Sequence, residues 1–117
     1  MAAVPGSKPF QSPGLPAISE ADLLNAVIEL AHWRGWMVHH DRPARTAQGW
    51  RTAVQGDVGF PDLVLVRGSS LVFAELKSEK GKLTAAQEKW IAELRLHGSL
   101  VYVWKPSDWD TIERTLL

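Results

Sequence analysis

The sequence contains no cysteine among its 117 residues. That absence excludes a disulfide-stapled scaffold, a thiolate zinc site and a thiol nucleophile. No apolar run approaches the about 20 residues that a membrane-spanning helix needs, and the N-terminus lacks the charged start and apolar stretch of a secretory signal. We therefore expect a soluble, intracellular protein of the cytoplasm, with no membrane partner.

The chain also has no net charge, with 13 Lys and Arg against 13 Asp and Glu. It therefore lacks a global field that attracts nucleic acid or an anionic membrane, and any such partner must be met by a local patch. Hydrophobic residues make up 45% of the chain, and its length supports one core rather than two. An ordinary globular domain is the expected class.

Proline and glycine are concentrated near the N-terminus, where residues 1–18 hold four of the seven prolines and show no apolar periodicity. We predict a flexible arm over 1–18 and a single domain over 19–117. Within the domain, Ser19 begins a first helix over about 20–34, because apolar residues recur there at helical spacing until Gly35.

The remaining pattern predicts the element order α-β-β-β-α-β-α. A capping box of Thr84 with Gln87 begins the second helix, and Ser107 caps the last, which ends at Leu116. Strands are expected over 36–40, 63–66, 71–77 and 100–104, with a weaker one near 50–54. The predicted fold class is α/β (α+β), a mixed central sheet flanked by helices.

Two acidic residues and a lysine converge on the predicted hairpin. Side chains alternate along a strand, so Glu75 and Lys77 project to one face, and the short turn brings Asp62 back beside Glu75. Two adjacent carboxylates repel each other unless a cation lies between them, and Mg²⁺ typically takes one or two carboxylates with water and substrate phosphate. On the first helix, Glu20 lies on the apolar stripe and is the acid expected to point at the sheet.

These residue types suit metal-assisted phosphodiester hydrolysis. A divalent ion neutralises the scissile phosphate and lowers the pKa of bound water. Lys77 is placed to orient or deprotonate that water and to stabilise the developing charge.

The run Gly59-Phe60-Pro61-Asp62, followed by Glu75-Leu76-Lys77, resembles the PD-(D/E)XK nuclease signature. The wider pattern looks like the VRR-NUC (virus-type replication-repair nuclease) family in its small stand-alone form, found in phages and bacteria. It adds the glycine-rich lead-in from Gly56, Lys82-Leu83-Thr84 with Gln87 and Trp90, and Gly98 before the last strand. The resemblance spans residues 19–116 and implies a restriction-endonuclease-like fold in a bacterial or phage-infected cell.

The resemblance also implies residue roles. Asp62, Glu75 and the Leu76 carbonyl bind the metal, Mg²⁺ with Mn²⁺ expected to substitute, and Lys77 is the catalytic lysine. Glu20 matches the acidic residue of the first helix and so joins the metal and catalytic set, and Gln87 matches a glutamine close to the site. Stand-alone members resemble Holliday-junction resolvases that act as homodimers on branched or four-way DNA, and no nucleotide cofactor is implied.

Each of these residues also has a structural interpretation. Asp62 suits a turn, and Glu75 with Lys77 suits a solvated edge strand. Glu20 complements the dipole of its helix, and Gln87 completes the capping box of Thr84. The spacing of the whole set favours the nuclease site.

Basic residues flank this set in two stretches. They are usual on solvated loops, but beside a phosphodiesterase site they are natural contacts to the DNA backbone. We assign His40 to the same group because one of the two adjacent strand histidines faces the polar connection. The predicted DNA-binding residues are Arg42, Arg45, Arg51, Lys80, Lys82 and His40.

The leading hypothesis is a Mg²⁺-dependent DNA endonuclease that is selective for junctions and acts in replication, recombination or repair. The alternatives are a less selective exonuclease or flap nuclease and a non-catalytic DNA-binding module. Six tryptophans exceed what so small a core needs, which favours an interface or base stacking for some of them, with core packing expected for Trp90 and Trp104. Committing Glu20, Asp62 and Glu75 to a metal would leave 13 basic side chains against 10 acidic ones.

Overall fold

The structure is a computed structural model that describes residues 18–41, 44–47, 49–51 and 54–117, with only the backbone described for 44–46, 50 and 51. The predicted arm, apart from Ile18, lies outside the described residues. Of the helices in the described part, none combines the length and apolar composition of a membrane crossing. The elements are α1 (Glu20–Trp33), β1 (Met37–His39), β2 (Ala44–Thr46), β3 (Gly49–Arg51), β4 (Leu63–Arg67), β5 (Ser70–Leu76), α2 (Ala85–Leu96), β6 (Leu100–Trp104), a 3₁₀ turn (Pro106–Asp108) and α3 (Trp109–Thr115).

Four strands form the main sheet in the order β1-β4-β5-β6. The β1–β4 and β4–β5 pairs are antiparallel, whereas β6 lies parallel to β5 because α2 carries the chain back across the sheet. The predicted mixed sheet is confirmed. Its four strands and the three helices follow one another along the chain in the predicted order α-β-β-β-α-β-α. The weaker strand predicted near 50–54 corresponds to β3, which pairs with β2 in a separate hairpin between β1 and β4.

One face of the sheet packs on α1 through a fully buried helical stripe that includes Leu23, Val27 and Leu30. Ser19 caps the helix as expected, with its Oγ accepting from the Asp22 amide at 3.1 Å. Ile18 precedes the cap and packs against the same core. These contacts fix the face of β4 and β5 that is opposite to the candidate site.

Of the five tryptophans whose side chains the structure describes, three lie in this core. Trp36, Trp104 and Trp109 are 4%, 2% and 2% exposed. Core packing of Trp104 is thus confirmed, whereas Trp90 is only half-buried. The tryptophan excess therefore supports an interface less than the composition indicated.

The last helix begins differently from the prediction. The residue before α3 is Asp108 rather than Ser107, and its side chain makes no cap hydrogen bond to α3. The Asp108 carboxylate instead accepts from the Lys105 amide at 2.9 Å, across the preceding 3₁₀ turn. The Ser107 amide instead donates to Glu79 Oε1 at 2.6 Å. The prediction failed because the proline forms a 3₁₀ turn first, which moves the helix start beyond Ser107.

Candidate active site

Asp62 and Glu75 meet where β4 begins and β5 ends. The antiparallel register pairs Leu63 with Ala74, and one further step places Asp62 opposite Glu75. Directly opposed residues project to the same face of an antiparallel pair, with Cβ atoms about 4.5–5.5 Å apart. The structure thus brings the two predicted carboxylates together on the face that α1 does not cover.

Asp62 is held through both its side chain and its backbone. Its Oδ2 accepts from the Leu76 amide at 2.8 Å, and His40 Nδ1 lies 2.9 Å from its carbonyl oxygen. A carbonyl oxygen only accepts, so Nδ1 carries a proton and donates it to Asp62. Asp62 thus joins the end of β5 and His40, in addition to its position next to Pro61 before β4.

Glu75 is 2% exposed and lies in β5, which has a neighbouring strand on each side. The alternative reading of a solvated edge-strand acid is therefore wrong. Lys77 Nζ lies 3.8 Å from Glu75 Oε1, as strand alternation predicted, and the lysine side chain is 13% exposed. A buried carboxylate and a nearly buried ammonium thus stand side by side.

Gln87 fulfils both of the roles considered for it. Its Oε1 accepts from the Thr84 amide at 2.9 Å, which completes the capping box of α2. Its Nε2 donates to Glu75 Oε1 at 3.1 Å. The two amide atoms point in different directions, so one side chain joins the start of α2 to the site.

Glu75 Oε2 is buried and has no hydrogen-bond partner among the described residues. Burial, followed by the negative charge of Asp62, raises the pKa of Glu75 from 4.5 to about 8. The ammonium of Lys77 opposes this rise, and the charge of Glu20 adds to it. A proton or a cation between the oxygens of the two carboxyl groups relieves this repulsion.

A divalent cation fits this donor set. An unpartnered carboxylate oxygen next to a second carboxylate offers hard oxygen ligands, and Mg²⁺ commonly takes one or two carboxylates with waters and substrate phosphates. In the described part of the chain, no three His, Asp or Glu side chains are close enough to share one ion. Asp62 and Glu75 are thus the available pair.

Glu20 does not join that pair. It is exposed in the first turn of α1, where a negative charge complements the helix dipole, and its influence on Glu75 is the weakest of the named charges. The prediction aligned it with the apolar stripe of α1, but Glu20 is the first residue of the helix and its side chain is exposed.

Three of the predicted DNA-binding side chains lie in the described part of the chain. Lys80 and Lys82 are exposed on the loop after Lys77, and the bond from the Ser107 amide to Glu79 ties that loop to the 3₁₀ turn before α3. His40 lines a cleft of about 180 Å³ that also contains Asp62. Arg42 and the side chains of Arg45 and Arg51 lie outside the described residues.

The sequence analysis missed a close approach between Gly59 and α2. Gly59 has φ +99°, and a Cβ added to it would lie 2.7 Å from the Ala86 carbonyl carbon. This contact fixes how closely the start of α2 approaches the loop before β4. It therefore also fixes the position of Gln87 relative to Asp62. In the sequence, Gly59 in the glycine-rich lead-in is the residue from which this close approach could have been predicted.

A mixed sheet that presents an aspartate, a glutamate and a lysine from adjacent strand ends defines a nuclease domain of the PD-(D/E)XK type. The family model described as "VRR-NUC domain" matches residues 35–108. The chain belongs to the VRR-NUC family.

A solved structure described as "VRR_NUC domain protein" shares 21% sequence identity with the chain at a TM-score of 0.53. The match covers 77% of this chain and 79% of that one, and at this identity it shows the fold. No protein with a curated description gives a significant match.

Proposed function

We propose that the protein is a divalent-metal-dependent DNA endonuclease that hydrolyses phosphodiester bonds in branched DNA, including four-way junctions. The observation that carries this proposal is the buried Glu75 carboxylate next to Asp62. Its Oε2 has no hydrogen-bond partner among the described residues, and Lys77 Nζ lies 3.8 Å from its Oε1. The family's nuclease character and its general use of divalent metals support the same conclusion.

Asp62 and Glu75 would hold the ion, with the Leu76 carbonyl proposed as a further ligand and Glu20 acting at longer range. We expect Mg²⁺, with Mn²⁺ as a substitute, because the ligands are hard oxygens. When bound, the ion supplies Lewis-acid stabilisation of the phosphate and a lowered pKa for water. Leu76 already positions Asp62 through its amide, so ligand placement depends on the β5 backbone.

Lys77 is the proposed catalytic residue next to the scissile phosphate. Its ammonium lies beside Glu75, in a nearly buried position where charge interactions are stronger than in water. It can orient the attacking water and stabilise negative charge on the phosphoryl oxygens. Gln87 keeps Glu75 Oε1 in place and leaves Oε2 for the ion.

DNA is the proposed substrate, with Lys80 and Lys82 contacting the backbone and His40 contacting the strand in the adjoining cleft. We include Arg42, Arg45 and Arg51 in this proposed set. A homodimer would supply the second site that junction resolution needs. Light scattering at micromolar concentration tests it, and a strict monomer would contradict the two-site model.

The decisive assay measures cleavage of four-way junctions, flaps and plain duplex with Mg²⁺ or Mn²⁺. Lys77→Met should lower the rate by about 10²–10⁴-fold, the usual contribution of a positioned acid–base group. Asp62→Asn should abolish metal-dependent cleavage, while the matched Asp110→Asn, at an exposed position of α3, should cut as the wild type does. Unchanged cleavage by Asp62→Asn would refute the site.

The same assay separates the two alternatives. A circular substrate is cut by an endonuclease but not by an exonuclease, which needs a strand end. A non-catalytic module would bind DNA without metal dependence and give no product with any divalent ion.

A further inference from the structure

A second cavity lies beside the candidate site, between the lead-in loop and α2. It has a volume of about 280 Å³. Its lining residues are Asp57, Val58, Ala86, Lys89, Trp90 and Glu93. None of them belongs to the proposed metal or catalytic set, so the cavity needs its own explanation.

The cavity adjoins the cleft that contains Asp62. Asp57 and Val58 line both, so the loop they occupy is the partition between the two spaces. On α2, Gln87 and Trp90 are three residues apart and are therefore neighbours on the helix surface. A molecule bound across the candidate site would reach the cavity within about one turn of helix, ~5.4 Å.

The walls of the cavity are apolar and already in place. The Trp90 indole donates its N–H to the Asp57 carbonyl at 3.3 Å, and its ring meets that of Phe60 edge-on at a centroid distance of 5.1 Å. Val58 and Phe60 nevertheless remain 62% and 43% exposed. The aromatic ring is thus fixed in position while apolar surface around it stays accessible.

The charged lining residues determine which class of ligand the cavity can bind. The carboxylates of Asp57 and Glu93 outnumber the single ammonium of Lys89. An anionic phosphate is disfavoured inside, whereas a neutral heterocycle can stack on apolar walls and donate its amino hydrogens to the carboxylates. The phosphate attached to that heterocycle would then lie outside, toward the Asp62 cleft.

We infer that this cavity binds one unpaired DNA base next to the scissile phosphate. The bases of an intact duplex are stacked and paired, so only a branched, bulged or flapped substrate offers a free base at low energetic cost. This inference rests on the proposed function and gives a physical source for its preference for branched DNA.

The test compares three end-labelled duplexes by fluorescence anisotropy: one with a single unpaired nucleotide, one with an abasic site in its place, and one fully paired. Binding is measured in EDTA, so that no strand is cut, and again in Ca²⁺. Base stacking on an aromatic ring typically changes affinity by about 5- to 100-fold. The wild type should bind the unpaired base about tenfold more tightly than the abasic duplex.

Trp90→Leu should remove this difference and Trp90→Phe should restore most of it. Leu96→Ala, on the same helix and 78% exposed, is the matched control and should bind as the wild type does. Thermal unfolding of each variant shows that the fold is retained.

Equal wild-type affinity for the unpaired and abasic duplexes, or no binding of either, would overturn the inference. So would a Trp90→Leu variant that keeps the difference. If the base preference is present but no substrate is cut, the proposed nuclease function fails while the base-binding cavity stands. If the wild type cuts DNA without a base preference, only the cavity proposal fails.

Discussion

Glu75 is an acidic side chain in a position that disfavours its charge. It is 2% exposed, and its pKa is raised to about 8 by burial and by Asp62. In the unfolded chain the same carboxyl ionises near 4.5. Between these two pH values the folded protein holds a proton that the unfolded chain has released, so stability falls as pH rises.

We therefore predict that metal-free protein unfolds at progressively lower temperature as pH rises from about 5 to about 8. Glu75→Gln should flatten this dependence and stabilise the protein at pH 8, because the amide is neutral beside Asp62, while cleavage is lost. Thermal melts in EDTA at several pH values measure both effects. A slope that is unchanged in Glu75→Gln would show that another group titrates.

Gln87 provides a second prediction at the residue scale, because its two hydrogen bonds can be separated. Gln87→Glu keeps an acceptor for the Thr84 amide but loses the donor to Glu75 and adds a like charge next to it. Cleavage should fall at least tenfold, a loss of about 1.4 kcal/mol of transition-state stabilisation, with the helix cap retained.

Thr84→Ala is the converse variant. It removes the hydroxyl that accepts from the Gln87 amide and should cost about 1 kcal/mol of stability with little loss of cleavage. Unfolding curves and cleavage rates are measured on both variants. Together they separate the effect of the helix cap on stability from the effect of the bond to Glu75 on cleavage. The assignment fails if the two variants lose activity equally.

At the scale of elements, the site depends on how closely the loop before β4 approaches the start of α2. Gly59 permits that approach because it has no side chain and a positive φ. Any Cβ there would meet the backbone of Ala86. The separation of α2 from β4, and thus the reach of Gln87 to Glu75, is set by one glycine.

Gly59→Ala is accordingly expected to be more damaging than Gly56→Ala. Both glycines have positive φ, +99° for Gly59 and +109° for Gly56, but a Cβ at Gly56 meets no atom of the described residues within 4 Å. Gly56→Ala should cost only the backbone strain of about 1–2 kcal/mol, and Gly59→Ala a further ~1–3 kcal/mol from the clash. Denaturant unfolding compares them, and equal costs would show that contact with α2 is unimportant.

At the scale of the whole molecule, the neutral charge balance conceals a local effect. Asp62 and Glu75 account for two of the 13 acidic side chains, so 11 remain against 13 basic ones when a cation neutralises the pair. The surplus is smaller than the sequence alone suggested, because Glu20 stands apart. Its location beside Lys77, Lys80 and Lys82 is what matters for a phosphate backbone.

DNA binding should therefore strengthen with divalent ion. We predict that the slowly cleaving Lys77→Met variant binds DNA several-fold more tightly in Mg²⁺ than in EDTA at equal ionic strength. Glu75→Gln, which lacks one of the two proposed ligand charges, should show a smaller gain. Anisotropy titrations measure both, and equal affinity with and without Mg²⁺ would contradict the prediction.

Local patterns in the sequence determined the elements and the central pair of the site. Alternation along β5 and a short turn are enough to place Glu75 and Lys77 on one face opposite Asp62, and the capping boxes at Ser19 and Thr84 follow from residues three positions apart. These features depend on residues that are close together in the chain. Their relative geometry is fixed by covalent structure and by the repeat of the strand or helix.

Only the tertiary structure decided the electrostatics of the site and its surroundings. Four features depend on how α1 and α2 pack against strands distant in sequence. They are the burial that shifts the pKa of Glu75, the hydrogen bond from Gln87 to Glu75, the solvent-exposed position of Glu20 and the cavity at Trp90. Packing distances and solvent exclusion are set by the summed volumes and contacts of many side chains. No local pattern encodes them, so the sequence named the reacting groups and the fold gave them their environment.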